Sequence, residues 1–153
     1  MDVNEVVAKI THLVEPDAAA HSCELQISLE ENLPAINGDP VQIQQVLINL
    51  VGNAFDAMRD TPVERRKVII ATGRNGRGTV ELSVRDYGAG IGDEALDQLF
   101  QQFFTTKEDG LGMGLAIVRS IVEAHSGTIT AENAAGGGAE FRVTLPASQE
   151  EAV

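Results

Sequence analysis

Residues 39–58 read DPVQIQQVLINLVGNAFDAM, with Ile43, Val46, Leu47, Leu50, Val51, Ala54 and Met58 recurring at three- and four-residue intervals. That period marks a helix with one apolar face, and it predicts the longest helix of the chain over about 40–59. Asp39 before Pro40 is a sound start signal, an acidic N-cap followed by a residue without the N–H that a first helical turn cannot use. So continuous a stripe needs a layer to lie on, and the neighbouring sequence supplies strands. ELQISL (24–29) alternates polar and apolar residues and predicts a strand with Leu25, Ile27 and Leu29 inward. KVIIATG (67–73) and TVELSVRD (79–86) predict two more, joined by the turn residues RNGRG. GTITAEN (127–133), GGG and AEFRVTLP (139–146) predict a closing hairpin.

Helical spacing recurs in two other places. Val3, Val6, Val7, Ile10, Leu13 and Val14 predict a helix over 3–14 that Pro16 ends or bends. Leu115, Ile117, Val118, Ile121 and Val122 predict another from Met113 to His125. DEALDQLF (93–100) predicts a short helix, and QQFFTTKEDG (101–110) has no period and predicts a loop. The expected fold is a two-layer α/β sandwich, a mixed, mostly antiparallel sheet covered on one face by about three helices. One domain is expected over 1–146, with an acidic, solvated tail at 147–153.

The 153 residues include 23 acidic and 11 basic side chains, a net charge of −12. That balance argues against nucleic acid or an anionic membrane as a main partner. An anionic ligand must then be held locally, by amides, a metal ion or one or two placed cations. The single Cys23 cannot form an internal disulfide, so a reducing, cytoplasmic setting is the default expectation. There is no signal-peptide pattern and no apolar stretch near the roughly 20 residues of a membrane helix. Aromatics make up 4% of the chain with no Trp, so no stacking ladder for bases is present.

Four constellations carry chemistry. Asn49 and Asn53, four residues apart, fall within about 40° of each other on one helix face. Such amides often simply face water; directed at a cleft, they can offer oxygen to a hard cation and NH₂ to a phosphate. DYGAGIG (86–92) follows a strand with Asp86, a good acceptor for an exocyclic amine, and then three glycines, although a tight turn would use the same residues. It is not a dinucleotide fingerprint, because no G-x-G-x-x-G opens a helix there. LFQQFFTTK (99–107) sets Phe100, Phe103 and Phe104 before Thr105, Thr106 and Lys107, either core residues or the anchors of a lid. GLGMGLAIV (110–118) spends Gly110, Gly112 and Gly114 just before a helix whose first amides suit an anion. No GK[ST] occurs, which excludes a Walker A loop.

Taken in order, N-x-x-x-N-A, D-x-G-x-G-I-G, F-x-x-F-F-T-T-K and G-x-G-x-G-L resemble the N, G1, F and G2 boxes of the histidine-kinase ATP-binding domain. That family shares a Bergerat-type fold with gyrase, the Hsp90 chaperones and MutL mismatch-repair proteins. The resemblance covers DVNEVV to FRVTLP. Within the kinases, VQIQQVLINL, LFQQFFTTK and RSIVEAHSG are most similar to the oxygen-sensing kinases of nitrogen-fixation control. It implies that Asp86 accepts the adenine amino group, with Gly88 and Gly90 giving the ring room and Ile91 packing near it. It implies that Asn53 binds a bridging Mg²⁺, with Asn49 in the same polar cluster. Thr105, Thr106, Lys107, Gly110, Gly112, Gly114 and Leu115 fall in the segment that would cap the phosphates of ATP, with Asn49 and Lys107 as the catalytic candidates.

Hydrolytic relatives usually carry a glutamate base where this chain has Asn49, and an amide cannot take a proton at neutral pH. Transfer to a better nucleophile is preferred, which in the family is a histidine on a separate dimerisation domain and, through it, a response regulator. His12, His21 and His125 all lack the H-E-x-x-x-P-L context, and His125 near a helix C-terminus suggests a structural cation instead. Four positions depart from the family. Asp56 replaces a common Lys, Tyr87 a Thr or Asn, Gln102 a Pro, and Ala139 a Ser or Thr that often supports the adenine site. The competing readings are an ATP-hydrolysing switch, a nucleotide-binding or interaction module without catalysis, and, more remotely, an anti-sigma-factor serine kinase. The isolated domain is expected to be a monomer. The unpatterned stretch 101–112 is expected to gain amide-exchange protection with Mg-ATP; equal protection with and without nucleotide would count against a lid.

Overall fold

The computed structural model describes residues 1–76, 78–92 and 114–148. Helix α1 spans Val3–Ala20, strand β1 Glu24–Ser28 and helix α2 Pro40–Ala57. After one 3-10 turn come β2 (Lys67–Arg74), β3 (Thr79–Asp86), helix α3 (Gly114–Ala124), β4 (Thr128–Asn133) and β5 (Ala139–Pro146). The five strands form one sheet in the order β1-β2-β3-β5-β4. Only β1–β2 is parallel, and the other three pairings are antiparallel. This is the mixed, mostly antiparallel sandwich that the pattern of elements implied.

Register places the core. Val68, Ile70 and Thr72 of β2 lie opposite Asp86, Val84 and Leu82 of β3. Val80, Leu82 and Val84 in turn face Leu145, Val143 and Phe141 of β5. All of these side chains are buried, so they share the covered face. The intervening residues, including Glu81, Arg85, Glu140 and Arg142, are half-buried on the other face. There the Arg142 guanidinium lies 3.1 Å from Glu81 and 4.0 Å from Glu132, and pairs with Glu140 at 2.5 Å.

Helix α2 is the keystone of the covered face. Its whole predicted stripe, Ile43 to Met58, is buried, and Phe55 joins it. The Asp39 carboxylate caps the helix by accepting from Val41 N–H at 2.9 Å, with Pro40 in the first turn. The helix ends two residues before the expected boundary. Met58 and Arg59 N–H turn to the carbonyls of Phe55 and Asp56, a tightened last turn. Arg66 then closes the junction, donating to the carbonyls of Thr61, His21 and Arg59 at 2.8–3.0 Å.

Three local expectations are revised. Pro16 does not end α1, which runs on to Ala20. Pro16 faces solvent, and buried Ala18 in the following turn continues the packed stripe. Leu13 is 53% exposed, because it lies about 80° from the centre of that stripe. Leu29 is likewise outside the core, since β1 stops at Ser28. The Thr72 hydroxyl accepts Glu30 N–H, and Asn4 bonds both the Thr72 hydroxyl and the Glu30 carbonyl, so a side-chain network replaces the ladder. Beyond β5, Ser148 N–H donates to Ala35 and Ala147 bridges Ile36.

Leu47→Ala should cost about 2–5 kcal/mol, because Leu47 is fully buried between helix and sheet. Leu13→Ala should stay within about 0.5 kcal/mol of the parent. Urea unfolding with an unchanged m-value would check both, and equal losses would mean that Leu13 belongs to the core.

Candidate functional site

Asp86 ends β3 on the covered face and is 3% exposed. Its Oδ1 accepts from Gly88 N–H at 2.8 Å and from Ala139 N–H at 3.3 Å. Among the described residues no hydrogen bond reaches Oδ2, so the bonds that tie Asp86 to the fold all fall on one oxygen. Burial pushes the carboxyl up from its ordinary 3.8, against the opposing pull of the two N–H groups and the nearby Arg85 guanidinium.

The loop after Asp86 is shaped by close approach. A Cβ on Gly88 would meet the Ala57 carbonyl oxygen at 2.3 Å, so only glycine lets the loop rest on the end of α2. Gly90 has φ +83°, and Ile91 is gripped at both backbone groups by the Asn133 side chain. Ile91 N–H donates to Asn133 Oδ1 at 2.7 Å, and Asn133 Nδ2 donates to Ile91 C=O at 2.8 Å. On the other side a Cβ on Gly138, at φ +84°, would lie 2.0 Å from the Asp86 carbonyl oxygen. The glycines expected to make room for a ring thus have demonstrated contacts with protein: Gly88 with α2, and Gly90 with Asn133.

Asn49 and Asn53 are both half-buried on α2, one turn apart. Asn49 Oδ1 accepts from Gln45 Nε2 at 3.2 Å. Gly88 meets Ala57 one turn beyond Asn53, which brings the Asp86 loop to the same end of the helix. A cleft of about 290 Å³ opens there, lined by Asp56, Ala57, Thr61, Arg65, Tyr87 and Gly88 among others. The Asp56 carboxylate pairs with Arg59 at 3.5 Å. Tyr87 turns to the open sheet face, where the Arg85 guanidinium covers its ring at 4.4 Å. Gly114 and Leu115 begin α3, which packs beside α2. Phe100, Phe103, Phe104, Thr105, Thr106, Lys107, Gly110 and Gly112 lie outside the described residues, as do Gln102 and the helix expected at 93–100.

His125 is structural, but not as the cation expected at a helix end. Its Nδ1 lies 2.8 Å from the Ile121 carbonyl, and its Nε2 accepts from Asp39 N–H at 3.1 Å. A ring that donates from Nδ1 and accepts at Nε2 is the neutral tautomer. It bolts the end of α3 to the cap of α2, and Gly38 leaves space for the ring. His21 stacks on Phe55 at 4.9 Å.

Asn133, Gly138 and the Ala139 amide were not among the residues singled out for the site. In the sequence Ala139 stands out only for the hydroxyl it lacks, whereas its contribution is a main-chain N–H. Register with β3 could have located it, since Arg85 pairs with Glu140 and Asp86 comes next.

Proteins of known family share this sequence pattern and this fold. Residues 38–149 match the family described as histidine kinase-, DNA gyrase B-, and HSP90-like ATPase. The chain belongs to that family. It is 44% identical over 133 residues to the sensor protein FixL of Bradyrhizobium diazoefficiens, covering 87% of this chain and 26% of FixL. It is 40% identical over 149 residues to the sensor histidine kinase TmoS of Ectopseudomonas mendocina, covering 97% of this chain and 15% of TmoS. It therefore spans about a quarter or less of these two relatives. Among solved structures, the catalytic domain of histidine kinase ThkA superposes with a TM-score of 0.84 at 30% identity, over 99% of this chain and 96% of that one. Full-length ShkA in complex with AMPPNP also gives 0.84 at 30% identity, over 97% of this chain and 30% of that one.

A carboxyl with a higher pKa folded than unfolded binds more protons in the folded state, so stability falls as pH rises above about 3.8. Asp86→Asn keeps an acceptor oxygen for both N–H groups and removes the buried charge. Thermal unfolding should find it at least as stable as the parent at about pH 7, with the gap closing below about pH 3.8. A variant clearly less stable at neutral pH would show that the carboxylate supports the fold.

Proposed function

We propose that this chain is the ATP-binding catalytic domain of a sensor histidine kinase, which passes the γ-phosphate of ATP to a histidine on a dimerisation domain. From there the phosphate would go to a response regulator; ThkA has been solved with the response regulator TrrA. The observation that carries the proposal is Asp86, a buried carboxylate with one oxygen fixed by two N–H groups and the other available to the adenine amino group. ShkA with AMPPNP supports a nucleotide as the ligand class.

Asn53 would meet a Mg²⁺ ion, which neutralises charge between the phosphates when bound. The donor chemistry fits: Asn53 is a half-buried amide whose oxygen suits a hard cation, and Mg²⁺ on phosphate keeps several waters and needs few protein ligands. Gly114 and Leu115 begin a helix whose first N–H groups suit the phosphate tail. Lys107, Thr105, Thr106, Gly110 and Gly112 complete that end of the proposed site, with Gly88, Gly90 and Ile91 walling the base.

Asn49 governs the fate of the bound nucleotide. Its amide has no basic lone pair with which to deprotonate water, so the position one turn before Asn53 offers no general base for hydrolysis. A neutral imidazole needs no such help, and positioning with charge neutralisation carries the transfer. No helix among the described residues is long and apolar enough to cross a membrane. A cytoplasmic, monomeric domain is part of the same proposal.

Calorimetric titration with ATP, with and without Mg²⁺, tests the site. Asp86→Asn should weaken binding by about 2 kcal/mol or more, the scale of a buried hydrogen bond to a charged group. Asn53→Ala should lose the Mg²⁺ dependence. A histidine-bearing dimerisation domain added with ATP should acquire acid-labile phosphate. Release of free phosphate at a rate indifferent to that domain would instead favour the hydrolytic switch, and absence of ATP binding would leave an interaction module.

A further inference from the structure

The last side chain of β4 lies two strands from β3, yet it holds the loop that β3 leads into. Asn133 is exposed, on an edge strand, and its carboxamide meets Ile91 through two hydrogen bonds of 2.7 and 2.8 Å. A carboxamide carries a neutral donor and a neutral acceptor side by side, and here it uses both toward one residue's main chain, as a paired strand would. Gly90 is part of the same device. A Cβ there would sit 2.8 Å from Asn133 Oδ1, and φ is +83°, where a side chain is strained in any case.

Among the described residues the loop between Asp86 and Ile91 has few other main-chain restraints, although the Tyr87 and Ile91 side chains pack against the core. Gly88 N–H is held by Asp86 itself, and Gly88 rests on Ala57. Ala89 is exposed, and three of the five residues from Gly88 to Gly92 are glycine. A stretch this rich in glycine wanders unless something beyond it is fixed. Asn133 fixes the main chain at Ile91, and the Ile91 side chain packs against the core beside it.

We infer that Asn133 is a positioning residue for nucleotide recognition, its carboxamide holding the Gly90–Ile91 backbone so that the loop beside Asp86 is preformed for an adenine base. The inference rests on the nucleotide reading above. Asn133 touches no nucleotide; it acts through Ile91. Its loss should hardly disturb the core, because both bonds lie at the surface and the freed groups can turn to water. It should instead loosen the wall against which the base is measured. Adenine presents an amine to Asp86 where guanine presents a carbonyl, so selectivity between them reports on that wall.

The test is calorimetric titration of ATP and of GTP, each with Mg²⁺, into the wild-type chain, Asn133→Ala and Asn133→Asp, with thermal melts of all three. A wild type that binds ATP in preference to GTP supports the nucleotide reading by itself. Asn133→Ala should then lose about tenfold in ATP affinity and much of that preference, while its melting point stays within about 3 °C of the parent. Asn133→Asp keeps the acceptor for Ile91 N–H but sets a carboxylate against Ile91 C=O, and should fall at least as far. ATP affinity within about twofold of wild type in both variants overturns the positioning role and leaves the nucleotide reading standing. Equal losses for ATP and GTP with a large drop in melting point would make Asn133 a fold residue only. A wild type that binds no ATP removes the reading on which the inference rests.

Discussion

Two backbone N–H groups, one from Gly88 and one from Ala139, converge on a single oxygen of the Asp86 carboxylate. This joins the end of β3, the loop after it and the start of β5, segments more than fifty residues apart. Much of the neighbourhood is set by that convergence. Strand β5 must begin hard against the Asp86 main chain, which leaves no space for a side chain at Gly138. The loop must turn back over the end of α2, which leaves none at Gly88. A carboxylate held this way is expensive to bury, and the rise in its pKa is the trace of that expense. Such a group persists in a small domain when its second oxygen has other work.

The periodic parts of the molecule were legible because each repeats one physical demand. The α2 stripe from Ile43 to Met58, the alternation in β2, β3 and β5, and the Asp39–Pro40 start all appear where their spacing implied. What escaped were places decided by distant partners. Leu29 is apolar and in phase, yet the Thr72 hydroxyl and Asn4 end the strand before it. His125 looks like a helix-end cation until Asp39, far away in sequence, supplies the N–H that its second nitrogen accepts. At the site, Asp86 and the glycines stood out while their environment did not. Nothing local marks Asn133 within ENAAGGG, since an Asn beside glycines usually means only a turn. Ala139 was read by its side chain, whereas it acts through its main chain.

Family membership alone leaves the fate of the phosphate open, because the family's description joins kinases to gyrase and HSP90-like ATPases. On the proposed reading the distinction falls to one side chain on α2. Asn49 occupies the face that Asn53 shares, and its oxygen already accepts from Gln45 one turn earlier. An amide–amide pair of this kind neither takes up nor releases protons across the physiological range, so this part of the helix can orient groups but not activate water. The proposal of a histidine acceptor supplied from elsewhere is the chemical complement of that inert pair.

Among the described residues the strand order β1-β2-β3-β5-β4 leaves the sheet open, with β1 and β4 at its two edges and a row of main-chain groups on each that no other strand pairs. Open edges invite a second copy to add its own strand and start a growing stack. Both are guarded here. They are the two shortest strands, five and six residues, and they carry Glu24 and Glu132 on a chain of net charge −12. A second copy approaching edge to edge would meet a chain of the same net sign and a short ladder, although Glu24 and Glu132 each lie within 4.0 Å of a basic partner, Lys67 and Arg142. The acidity that argued against nucleic acid thus also places like charge along both edges of an unclosed sheet.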